Sequence, residues 1–222
     1  MLELKNIISS YHRGFPILHD INLSVGKNER LALLGRNGAG KTTFANTIFG
    51  MVPHVEGDIL IRAQSVRSMS MPDLRNLGLG YFMQGGPVFP QMTVKDNLLV
   101  ASGDLGKKQF LNRFNELQIQ FPLLRDRGFD QALAGSLSGG ERTQLSLAMV
   151  LITMPGLLIL DEPFAGLSPS NANLILKILD EYQQDTNATV ILIAQDRLTA
   201  ARFCTRHCVI RQGKILEDTP VL

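Results

Sequence analysis

The sequence has no tryptophan, only two cysteines, and aromatic residues make up only 6% of its 222 positions. Beyond Cys204, His207 and Cys208 there is no further His or Cys set at metal spacing, which argues against a disulfide-stapled scaffold or a zinc module and leaves the two cysteines as ordinary reduced thiols. No charge of one sign dominates: 22 basic residues against 20 acidic ones leave a net +2, with no lysine or arginine cluster to concentrate it. That balance argues against a nucleic-acid partner. A long uninterrupted apolar run is missing too. The richest stretch, Leu145 to Leu160, is broken by Ser146, Thr153, Pro155 and Gly156, and reads as a buried helix, a turn and a buried strand rather than a membrane span. The start, "MLELKNIISS", has neither a basic leader followed by an apolar core nor the Arg- and Ser-rich look of an import signal, so a cytosolic chain is expected. We find no internal repeat, low-complexity tract or long linker.

What is present is a 45% apolar share, ample for a packed core. "LELKNIISSYH", "DINLSV" and "RLALLG" read as strands separated by turn residues at Arg13-Gly14 and Gly26-Lys27-Asn28. A helix is expected after Lys41, capped at Gly50, with "GDILIR" and "LGYFMQ" as further strands. From about Thr93 to Gly135 the period changes, and Phe110, Leu111, Phe114 and Leu117 recur at helical spacing. After Leu157 come "LLIL", a helix with Leu174, Ile175, Ile178, Leu179 and Tyr182 on one face, and "TVILIA": two aliphatic strands joined by an amphipathic helix, the mark of a covered parallel sheet.

Three motifs carry chemistry. "GRNGAGKTT", Gly35-Arg36-Asn37-Gly38-Ala39-Gly40-Lys41-Thr42-Thr43, follows the strand "LALL" and opens a helix. Its glycines let the backbone turn tightly with N–H groups pointing at an anion, and the helix N-terminus adds a favourable dipole. Lys41 would reach the β- and γ-phosphates and the Thr42 hydroxyl would ligate Mg²⁺. In "LLILDEPFAGLSP", a purely aliphatic run ends in two adjacent carboxylates, which are costly at the edge of a core unless something cationic or hydrogen-bonding meets them. Alone the pair could be a helix N-terminal charge cluster. Beside a phosphate loop, Asp161 can hold Mg²⁺ through its water shell and Glu162 can polarise an attacking water. Between the two lies "SLSGGER", Ser136 to Arg142, a second helix N-terminus with unhindered N–H groups, suited to a nucleotide held by another copy of the chain.

The order Gly35–Thr43, Gln84, Leu137–Glu141, Asp161–Glu162 resembles the ATP-binding cassette ATPases over essentially the whole chain, and "LSGGE" is the element that separates them from other phosphate-loop proteins. The resemblance implies an α/β phosphate-loop core with an N-terminal antiparallel β subdomain and an inserted α-helical subdomain: core segments 1–84 and 157–222, helical segment 85–156. It implies a head-to-tail dimer, of identical or related subunits, in which Ser138, Gly139, Gly140 and Glu141 close over the ATP of the other subunit. It also implies that Tyr11 stacks on adenine, that Gln84 senses Mg²⁺ and the γ-phosphate, and that the loop after Gln84 meets integral membrane permease subunits at the inner face of the cell membrane. Read without the resemblance, Tyr11 could equally be a strand-edge aromatic and Gln84 is only a polar residue after a strand.

Two residues depart from the pattern. Gln195 stands in "IAQDR" where a histidine is usual, and Ser168 replaces an aspartate after the catalytic glutamate. Gln195 keeps a hydrogen-bonding role but cannot titrate near neutral pH, so Glu162 is expected to activate water with Gln195 positioning. Both departures, with "VFPQMTVKDNL", resemble the second ATPase subunit of branched-chain amino acid and amide importers, and lipid-exporting relatives share parts of the match. After "GKILEDTPVL" the sequence stops short of the tail such subunits often carry. The expected activity is ATP hydrolysis with Mg²⁺, passed to separate permeases and without contact with the solute. The resemblance implies import of branched-chain amino acids or related amides; the alternatives are the ATPase of a lipid or lipopolysaccharide exporter, a soluble relative acting on ribosomes or DNA, which usually has two cassettes or a sustained heptad pattern, and a small-molecule kinase, which leaves "LSGGE" unexplained.

Overall fold

A computed structural model describes residues 1–125 and 131–220. Residues 126–130 of the expected helical segment and 221–222 of the expected core lie outside the described residues. The elements run β1 (Leu2–Ser10), β2 (Leu18–Val25), β3 (Arg30–Leu34), α1 (Lys41–Ile48), β4 (His54–Ile61), β5 (Gln64–Ser65), α2 (Met71–Asn76), β6 (Leu79–Phe82), α3 (Val94–Ser102), α4 (Lys107–Gln120), α5 (Pro122–Arg125), α6 (Gly139–Leu151), β7 (Leu157–Asp161), α7 (Pro169–Thr186), β8 (Thr189–Ala194), α8 (Arg197–Ala201), β9 (Arg206–Arg211) and β10 (Lys214–Pro220).

Two sheets result. An antiparallel one has the order β2-β1-β4-β5, and a six-stranded one has the order β10-β9-β3-β8-β7-β6, in which every pair is parallel except β9 with β10. The central strands are aliphatic without alternation because both faces are buried. Leu158 and Leu160 of β7 face one apolar cluster, shared with the helices α3 to α8, while Leu157 and Ile159 face a second that includes the antiparallel sheet. Helix α1 lies in this second cluster through Phe44, Ala45 and Ile48. Its end is as expected: Gly50 has φ 68°, its N–H donates to the Thr47 carbonyl and the Met51 N–H to that of Asn46, a Schellman stop.

Sequence and structure differ in places. Leu111 is 42% exposed, one helical step off the face on which Phe110, Phe114 and Leu117 are buried. β1 ends at Ser10, so Tyr11 falls in the bend after it. The β9–β10 hairpin, absent from the sequence reading, turns on Gln212 and Gly213 with φ of 47° and 70°, the two left-handed residues of a tight primed turn. Cys204 and Cys208 are free and buried, and burial pushes both thiols up to about 12.

Gly213 also anchors the loop before α1. Its N–H donates to the Ala39 carbonyl at 2.9 Å and its carbonyl accepts from the His19 N–H at 2.8 Å. A Cβ there would lie 1.7 Å from the Ile17 carbonyl oxygen. Gly213→Ala therefore meets both a backbone clash and an unfavourable φ, and should cost about 3 kcal/mol or more of stability in a denaturant melt. Weaker phosphate binding by that loop should accompany it, because the clash displaces the partner of Ala39.

Candidate active site

The carboxyl ends of β3, β6, β7 and β8 converge on one cluster of polar side chains. Between β3 and α1 the loop Gly35–Gly40 reverses the chain with φ of 76° at Gly38 and 106° at Gly40. Gly35 admits no side chain, since a Cβ would stand 2.6 Å from the Ile210 carbonyl oxygen. Arg36, Asn37 and Gly38 are exposed, while Ala39, Lys41 and Thr43 are buried. The Lys41 ammonium folds back over the loop, donating to the carbonyls of Gly35 at 2.9 Å and Arg36 at 3.3 Å, and pairs with Glu162 Oε1 at 3.2 Å.

Asp161 is the last residue of β7 and is fully buried. Thr42 Oγ1 donates to its Oδ2 at 2.7 Å, whereas Oδ1 is buried with no hydrogen-bond partner among the described residues. Burial raises the pKa of this carboxyl above its ordinary value; the bond from Thr42 opposes that, the neighbouring Glu162 adds to it, and Lys41 opposes it. Glu162 has φ 50°, a left-handed conformation that costs a non-glycine residue on the order of 1 kcal/mol. It is held there by its N–H donating to the Ile193 carbonyl at 3.0 Å. Gln195 Nε2, just past β8, donates to both Glu162 carboxylate oxygens at 2.9 and 3.0 Å, and Gln84 Nε2, just past β6, reaches Oε2 at 3.5 Å. The structure thus brings Lys41, Thr42, Gln84, Asp161, Glu162 and Gln195 into one contact network.

Tyr11 stands apart from that network. Its hydroxyl accepts from Asn46 Nδ2 at 2.8 Å, and Asn46 Oδ1 accepts from the Tyr81 hydroxyl at 3.0 Å. Asn46 had no signal in the sequence, because an asparagine inside a helix is unremarkable until its neighbours are known. The turn Ser138–Glu141 caps α6: Ser138 Oγ accepts from the Glu141 N–H, and the Glu141 carboxylate accepts from the Ser138 N–H at 2.8 Å. The Glu141 carboxylate is thereby used within its own chain. Among the described residues no hydrogen bond joins this turn to residues 35–43.

A buried, unpartnered carboxylate oxygen beside a threonine hydroxyl is a pair of hard oxygen donors, and these fit Mg²⁺. Among the described residues no group of three His, Cys, Asp or Glu side chains gathers into an all-protein metal site. A cation here would keep several ligands from water or substrate.

The family profile described as ABC transporter matches residues 18–165. Over 220 residues the chain is 33% identical to the lipopolysaccharide export system ATP-binding protein LptB of Escherichia coli strain K12, an alignment that covers 97% of this chain and 88% of that one. It is 30% identical over 208 residues to a probable branched-chain amino acid transport ATP-binding protein, LivF, of Archaeoglobus fulgidus, with 94% and 87% covered. Its fold matches a solved dimeric ATP-binding cassette bound to ADP and Pi with a TM-score of 0.86 at 22% identity, covering 100% of this chain and 99% of that one.

A carboxyl whose folded pKa is raised favours folding below its unfolded value, and that contribution is lost as pH rises through the folded value. Ionisation of Asp161 as pH rises therefore costs stability. Asp161→Asn should raise the melting temperature of the nucleotide-free chain at pH 7 by about 2–4 °C, roughly 1 kcal/mol, and the gain should shrink toward pH 4. Mg²⁺ with ATP should then stabilise the parent and not the variant; a variant that melts lower at pH 7 contradicts this account.

Proposed function

The chain belongs to the ABC transporter family, and from that premise we propose that it is the ATP-hydrolysing subunit of a transporter whose membrane-spanning parts are separate chains. The observation that supports the chemistry best is the Lys41–Glu162–Gln195 cluster set beside the Thr42–Asp161 pair. The loop Gly35–Gly40 and the α1 N-terminus bind phosphate oxygens through backbone N–H groups, and Lys41 leaves its two carbonyls for the β- and γ-phosphates. Glu162 accepts the proton of the attacking water, with Gln195 holding its carboxylate and Gln84 beside it. Thr42, Asp161 and Gln84 would hold Mg²⁺, which when bound offsets phosphate charge. Tyr11, exposed beside α1, offers a ring face to adenine.

The chain acts as a dimer, of identical or related subunits, with Ser138–Glu141 of one over the nucleotide of the other. No helix among the described residues is long and apolar enough to cross a membrane. A cavity of about 800 Å³ opens between α2, the loop after Gln84 and α6, lined by Met71, Arg75, Met83, Val88, Phe89 and Met149, a surface suited to a permease at the inner membrane face. For the solute, the likeness to LivF together with Gln195 and Ser168 supports import of branched-chain amino acids or related amides. The 33% identity to LptB favours a second reading, lipopolysaccharide export.

Lys41→Ala should abolish ATP binding. Glu162→Gln should lower turnover by about 10²–10⁴-fold while leaving ATP bound to a dimer. Retained turnover in either variant refutes the mechanism. Copurifying Glu162→Gln from detergent-solubilised membranes of its own cell, with ATP, should recover multi-span permeases; amino-acid permeases support import, lipid-export permeases the second reading, and ribosomal or DNA-repair proteins defeat both.

Gln195 does not titrate between pH 5 and 9, so its role persists across that range. Gln195→His should add an ionisation centred near the ordinary histidine value of about 6.5 to the pH–rate profile. A profile unchanged by that substitution removes Gln195 from the chemistry.

A further inference from the structure

The two glycines of the turn 138–141 lack side chains for different reasons. At Gly139 an added Cβ meets nothing within 4 Å. At Gly140 it would stand 2.1 Å from Asn171 Nδ2 and 2.8 Å from Asn171 Cγ. Asn171 lies in the first turn of α7, where its backbone N–H donates to Oγ of the capping Ser168 at 3.3 Å. Its carboxamide is only half-buried and has no hydrogen-bond partner among the described residues. A group with two donors and an acceptor thus rests against the N-terminus of α6, in a space that exists because residue 140 has no side chain. The loop that begins at Glu162 leads directly into the helix carrying it.

We propose that Asn171 is a further nucleotide-contacting residue, whose carboxamide donates to a phosphate oxygen of the ATP held by the other subunit, beside the N–H groups of Gly139 and Gly140. This rests on the dimeric reading above. Gly139 is kept bare by the incoming nucleotide and Gly140 by Asn171 of its own chain. The same residue ties the Ser138–Glu141 turn to the loop that carries Glu162, so a phosphate grasped at one half-site bears on the helix that leaves the other. Ser168, in place of the usual aspartate, serves α7 as its cap.

The test uses the full chain with Glu162→Gln, titrated with ATP and Mg²⁺ while dimer is followed by sedimentation. Asn171→Ala should raise the ATP concentration for half-maximal dimer by about threefold. Asn171→Asp keeps the shape and adds a charge that phosphate repels, so it should raise that concentration by about tenfold or more. Nucleotide affinity of the isolated subunit, measured at protein concentrations too low for dimer, should be unchanged in both. The nucleotide-free melting temperature of N171D should equal or exceed the parent's, because a carboxylate is favourable in the first turn of a helix. Dimer formation by N171D at the parent's ATP concentration overturns the proposal. So does a loss of dimer that merely follows a fall in melting temperature in both variants. If the Glu162→Gln parent itself fails to dimerise with ATP, the dimeric reading fails first and this inference falls with it.

Discussion

The Asp161 carboxylate has no access to solvent and ends a strand whose other four residues are also buried, and one of its oxygens has no partner among the described residues. Such a group is tolerated only where its surroundings are fixed tightly enough to supply compensation on demand. Much of the fold supplies that fixity. Thr42, 119 positions earlier in the chain, must present its hydroxyl at 2.7 Å, and it does so because α1 is clamped in the second apolar cluster, with Phe44 and Ile48 packed against the antiparallel sheet and β7. The antiparallel sheet, which contributes none of the groups around Glu162, shares this cluster with α1, and the Gly213–Ala39 hydrogen bond adds a second hold on the phosphate loop.

Charge explains the resting arrangement of the rest of the cluster. Lys41 meets Glu162 and two carbonyls, leaving the Asp161 carboxylate with one hydroxyl as its sole hydrogen-bond partner among the described residues. One cation against two carboxylates, one of them with its pKa raised by burial, is a site that gains from taking up a cation together with its polyanion rather than a bare polyanion. Under the function proposed above, incoming phosphates would compete with Glu162 for Lys41, and the arrival of substrate would free the glutamate from its ammonium partner. Gln195, with Gln84 beside it, would then support the carboxylate, which a neutral amide can do at any physiological pH.

Legibility in the sequence followed locality. The phosphate loop, the paired carboxylates and the Ser138 cap each depend on residues within a few positions of one another, and their spacing alone exposed them. β7 and β8 were readable because burial on both faces forces continuous aliphatic runs. The β9–β10 hairpin escaped because "RHCVIR" and "KILEDTP" alternate weakly and their turn is Gln-Gly, where φ is set by the pairing partner and not announced by an Asn-Gly or Asp-Gly pair. Leu111 was misplaced because its neighbours Phe110 and Phe114 define a narrow stripe and leucine on its flank satisfies the same rough period. Asn46, Asn171 and Gly213 act through partners 35, 31 and 174 residues away, at Tyr11, Gly140 and Ala39, distances at which a single sequence has no pattern to offer.

The placement of the Ser138–Glu141 turn bears on the proposed dimer. Every group around Glu162 comes from the carboxyl end of a parallel strand or from the loop or first helical residue that follows it, whereas this turn opens a helix buried in the other apolar cluster, on the opposite face of the same sheet. A helix N-terminus with bare glycines has exposed donors aimed outward, and its own Glu141 has already satisfied the Ser138 N–H. The remaining donors need an acceptor that the described part of the chain does not supply. In the proposed dimer a phosphate bound at the equivalent loop of a second subunit would meet that need, and because the relation is mutual, two such chains would bury two nucleotides at once. In the proposed dimer, closure would then depend on nucleotide at both sites rather than one.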